Sequence, residues 1–123
     1  MRVILLIVFG AAGTLARYGL GGWIQYRAGP GFPYGTLAIN ILGCFFLGAV
    51  GQFGLNHLSM PPDLRIGLTV GLMGGFTTFS TFGWDSVHML ESGEWPQALT
   101  YIGASVLGGL AAMMLGLRTG NIL

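Results

Sequence analysis

Gly74-Gly75-Phe76-Thr77-Thr78-Phe79-Ser80-Thr81-Phe82 stands in the middle of an apolar stretch that begins near Arg65. Two adjacent glycines weaken a helix by roughly 1 kcal/mol each relative to alanine, and the hydroxyl residues that follow compete for its backbone groups. Inside a bilayer, such an interruption survives only where the loosened backbone is buried in protein or lines a watery cavity. The segment therefore predicts a membrane helix broken at Gly74–Thr78, beside a pore, an ion site or both.

The flanking sequence agrees with a membrane setting. Of 123 residues, 53% are hydrophobic and only 7% charged, against about 25% charged in soluble domains. Four spans of about 20 residues would use roughly two thirds of the chain, which limits it to one transmembrane domain, 1–123. The spans are expected at about 3–23, 35–55, 65–90 with its central break, and 98–117. Turn-forming connections separate them, and Pro96 is well placed to open the last helix. The N-terminal run from Arg2 to Phe9 also fits a cleavable signal peptide, but the apolar stretch continues to an interfacial cluster of Trp23, Tyr26 and Arg27.

Other classes fall away on composition. The net charge is +1 with no Lys/Arg cluster to neutralise phosphates, so nucleic acid is not a partner. No nucleophile–base–orienter set, zinc spacing or phosphate-binding glycine loop is present, so the chain does not read as an enzyme. Cys44 is the sole cysteine and reads as a packing residue within a span. Gly67/Gly71/Gly75 and Gly108/Ala112/Gly116 have the small-xxx-small spacing that lets membrane helices approach closely.

With four spans, Arg2, Arg65 and Arg118 share one side of the membrane, while Arg27 and the nearby Arg17 belong to the other. So even a distribution imposes no single orientation. Two oppositely inserted copies would form an antiparallel pair and supply the inverted symmetry that many transporters obtain from internal repeats.

The GGFTTFSTF run of Gly74–Phe82 resembles the signature of the Fluc-type (CrcB-like) fluoride channel family. The resemblance extends to Gly13-Thr14-Leu15-Ala16-Arg17-Tyr18 and to Gly35-Thr36-Leu37-Ala38-Ile39-Asn40-Ile41-Leu42-Gly43. Three motifs in register are far more specific than one. The resemblance implies an all-α, four-helix antiparallel dual-topology homodimer in the inner membrane, with two fluoride pores and a structural Na+ at the two-fold axis. It assigns the cation's carbonyl ligands to Gly74 and Thr77, the pore to Asn40, Phe79, Phe82, Tyr101 and Ser105, and Arg17, Ser80 and Thr81 to the pore or its vestibule. The next hydroxyl expected along the last helix is replaced by Gly109, and Asp85 stands where many relatives have glutamate.

Each assignment has a plainer reading from the residues alone. The glycine pair could serve only close helix crossing, the phenylalanines core packing, Asn40 helix–helix bonding and Arg17 anchoring at the interface. Ser80 and Thr81 could bond back to their own helix. Two rival functions also fit four short spans. A proton-coupled drug exporter of the small multidrug-resistance kind needs a carboxylate within the membrane, which the first, second and fourth spans lack. A non-transporting assembly subunit leaves Asn40 and the hydroxyl-rich break without a purpose.

Overall fold

Glycine spacing decides which helices touch in this chain. The computed structural model describes residues 1–123 and is helical throughout, with helices α1 (Arg2–Ala28) and α2 (Tyr34–Asn56) coming first. The segment expected as a third span follows in pieces: α3 (Pro62–Ile66), a π-helical segment Gly67–Met73, α4 (Gly74–Phe76) and, after a gap, α5 (Phe79–Glu91). The chain ends with α6 (Trp95–Ile122). Three helices (α1, α2 and α6) are each long and apolar enough to cross a membrane. All three run past the ends expected from the sequence, and Pro96 does lie in the first turn of α6.

Two seams hold the helices together. Gly67, Gly71 and Gly75 face α1, where a Cβ on Gly75 would stand 2.6 Å from Gly10 O and 3.2 Å from Thr14. On the other side, Gly116 meets the backbone of Phe45 and Ala49, so α6 lies directly against α2. Both small-residue stripes therefore act as contact faces within one chain, where backbone approach replaces side-chain interdigitation. Only Ile39, Met73 and Phe76 form a buried cluster near the break, and Met89, Ala98 and Tyr101 form another between α5 and α6.

The loop between α1 and α2 is tied by one side chain. Gln25 donates to Gly29 O and Phe32 O, and its Oε1 accepts from Gly35 N. Gly29 takes φ +91°, which ends α1 at a conformation other residues rarely adopt. At the opposite end Arg2 pairs with Asp63 at 2.9 Å, an exposed contact that contributes little.

The segment expected as the third span is interrupted, but not where the glycines stand. Gly74 and Gly75 remain helical, and the chain leaves the helix only at Thr77 (φ −84°, ψ 160°) and Thr78 (φ −150°, ψ 112°). The expected break at Gly74–Thr78 thus narrows to two residues. Gly75 is spent on close approach to α1, and the unwinding falls where hydroxyl and carboxamide groups can satisfy the backbone. The π-helical segment just before it was not foreseen. Such segments are rare and concentrate at functional positions.

Candidate functional site

Thr78 organises the interruption. As the N-cap of α5 its Oγ1 accepts from Thr81 N at 3.3 Å and donates to Thr81 Oγ1 at 3.0 Å. Ser80 Oγ lies 3.5 Å from the same oxygen. Ser80 and Thr81 therefore serve first as a local cap network, which satisfies donors that a helix start leaves free. Thr81 also lines a wide groove with Arg17, Thr14 and Thr36.

The backbone of Thr78 is held from another helix. Asn40 on α2 accepts from Thr78 N at 2.8 Å and donates to Thr78 O at 3.0 Å, a two-point pairing like one rung of a sheet. Arg17 on α1 donates from Nε to Gly75 O at 3.1 Å. Thr77 N and Thr77 Oγ1 both go to Met73 O at 3.0 Å. Thr78 N–H, the ordinary i+4 partner of Gly74 O, is thus given to Asn40, and no donor of the chain reaches Thr77 O. Gly74 is exposed, and nothing stands within 4 Å of where its Cβ would be.

A groove of about 270 Å³ runs beside the interruption, lined by Asn40, Cys44, Thr77, Phe79, Phe82 and Ser105 among others. No acidic or basic side chain lines it. Phe79 and Phe82 meet with ring centroids 5.7 Å apart, as their i,i+3 spacing predicts, and Phe79 is 83% exposed on the single chain. Ser105 Oγ is enclosed and has no hydrogen-bond partner.

The structure therefore brings Asn40, Phe79, Phe82 and Ser105 together, with Thr77 at the same place. Tyr101 stands apart from this set. It is fully buried behind Phe82, at 5.4 Å between ring centroids, and its hydroxyl donates to Asp85 Oδ2 at 3.1 Å. The position of Gly109 is filled in another way: Cys44 Sγ lies 3.4 Å from where a Gly109 Cβ would be. Cys44 is thus a groove-lining residue, not solely a packing one. Thr78 lies within the break expected from the sequence, but its role as the N-cap of α5 was not among those expected, although Thr before a helical run is a familiar N-cap signal.

An all-helical chain with several membrane-length helices, one interrupted crossing and a neutral polar groove at the interruption belongs to the class of multi-pass membrane proteins that handle small ions. Residues 4–117 match the family model described as CrcB-like protein, Camphor Resistance (CrcB), and the chain is a member of that family. Its relatives include a protein of Geobacter metallireducens, 46% identical over 119 residues that cover 97% of this chain and 96% of the relative. One from Nitratidesulfovibrio vulgaris is 48% identical over 122 residues, covering 98% of each. A third, from Sorangium cellulosum, is 46% identical over 108 residues, covering 88% of this chain and 85% of the relative. All three carry the name fluoride-specific ion channel FluC.

Proposed function

We propose that this chain is a fluoride-selective channel, not an enzyme, through which fluoride leaves the cytoplasm passively across the inner membrane. The observation that carries this reading is the neutral groove of Asn40, Phe79, Phe82 and Ser105 beside an interrupted crossing, in a chain whose close relatives are named as fluoride-specific channels. Fluoride is small and strongly hydrated, so a pathway must replace its water with donors while letting it leave again. A hydroxyl without a partner and the positive edges of phenyl rings meet that need without trapping the ion as a fixed cation would. HF crosses membranes and dissociates in a less acidic cytoplasm, and a negative-inside potential then drives the anion outward. No ATP or redox cofactor enters.

The working unit in this reading is an antiparallel homodimer of oppositely inserted copies with two pores. The even arginine distribution, the exposed Gly74 and the largely exposed Phe79 support it. A structural Na+ at the two-fold axis fits the residues present. Gly74 O lacks its helical donor and Thr77 O lacks any, and hard monovalent cations suit unwound backbone carbonyls. No cluster of His, Cys, Asp or Glu is available as an alternative ligand set. When bound, the cation would supply positive charge to tie the two interruptions together, while the chain's own residues orient and desolvate fluoride.

Purified protein in liposomes, followed with a fluoride electrode, tests the proposal. Fluoride should leave rapidly and chloride negligibly. Phe79→Ile should reduce fluoride flux about tenfold, as expected if the ring edge faces the ion. Chloride flux equal to that of fluoride overturns the selectivity, and proton-coupled export of an organic cation would favour the exporter.

A further inference from the structure

The polar groups of the interruption are not left to chance. Gly75 O is taken by Arg17, Met73 O by Thr77, and both Thr78 N and Thr78 O by Asn40. Gly74 O, without its ordinary i+4 donor, and Thr77 O, without any, are among the carbonyls this distribution leaves over. We infer that Asn40 is a positioning residue for the cation site: by taking the Thr78 N–H, it keeps Gly74 O free for a metal ion. The inference rests on the cation reading above and adds a role for Asn40 separate from any contact with fluoride.

The argument turns on where the Thr78 N–H would go otherwise. A backbone donor in an apolar interior must find an acceptor, and the acceptor four residues back is Gly74 O. Closing that bond would carry α4 one residue further and make a cation compete with an internal donor. Asn40 Oδ1 offers the donor a better fixed alternative at 2.8 Å, and Asn40 Nδ2 secures the carbonyl of the same residue at 3.0 Å. A carboxamide does this without placing net charge in the groove that Asn40 also lines. A carboxylate would keep the acceptor, lose the donor and repel an anion.

The experiment measures fluoride efflux from liposomes and the thermal unfolding midpoint of the full chain, each as a function of Na+ with choline replacing it. Asn40→Ala should raise the half-saturating Na+ by about tenfold in both readouts, with flux climbing again at high Na+. Asn40→Asp keeps the acceptor for Thr78 N, so its half-saturating Na+ should stay within about threefold of the parent while its flux falls. An unchanged Na+ midpoint in Asn40→Ala with a lower plateau flux overturns the inference and leaves Asn40 a groove donor only. An equal shift in Asn40→Asp and Asn40→Ala also overturns it. Where Asn40→Ala does not assemble at any Na+ concentration, the Asn40→Asp midpoint decides. A parent protein insensitive to Na+ in both readouts defeats the cation reading itself, a result distinct from the others, and this inference with it.

Discussion

Ser105 keeps a hydroxyl whose oxygen is enclosed and bonded to nothing in the chain, a state that costs about 1–3 kcal/mol where no partner arrives. Its persistence makes sense if the partner is a passing ion. Ser105→Ala should therefore hold or raise the thermal unfolding midpoint while lowering fluoride flux about fivefold, the worth of one ~1 kcal/mol donor. Loss of stability with unchanged flux would mark the hydroxyl as structural. That Phe79, Phe82 and Asn40 line one groove was legible in the sequence, because motif and spacing put them on one helix face or in one span. The partner of Tyr101 was not: Asp85 is 16 positions away, and the bond exists only because α5 lies against α6. Reading Tyr101 and Ser105 one turn apart on one helix was sound, yet burial behind Phe82 separates the tyrosine from the groove.

Helix contacts depend on glycine as a spacer more than on large side chains. At Gly116 a side chain would strike the carbonyl of Phe45, so neither helix can yield without moving backbone. Gly116→Val should destabilise the fold by about 1–3 kcal/mol, read as a lower unfolding midpoint in detergent. Gly103 in the same helix has nothing within 4 Å, and Gly103→Ala should be neutral or stabilising by up to ~1 kcal/mol. Equal effects at the two sites would contradict the seam. Such stripes are readable in advance, since period-four small residues in an apolar span have few other uses. The narrowing of the break to Thr77 and Thr78 was hidden, because the group that unwinds it comes from α2. The π-helical Gly67–Met73 was hidden as well, for its register depends on where Gly67, Gly71 and Gly75 must meet α1.

Taken as an assembly, the chain exposes its most distinctive surface, Gly74 and Phe79, on the face beside the interruption. In the proposed antiparallel pair that face would be covered and two sets of freed carbonyls would be brought together. Tags on the N- and C-termini of chains expressed in cells should be labelled from both sides of the membrane in comparable amounts, and the purified protein should have the mass of two chains. A single sidedness in every molecule would refute dual insertion.

The two-point grip of Asn40 on Thr78 has a consequence for biogenesis. Because the backbone of Thr78 is held from a neighbouring helix, only the local cap of Thr78 and Thr81 marks the interruption before that helix arrives. The segment can partition into lipid with that cap alone and acquire its full kink only once α2 has docked. Orphaned segments would then lack the two-point grip, and the shape proposed to hold a cation would emerge last, as a stamp of completed tertiary assembly.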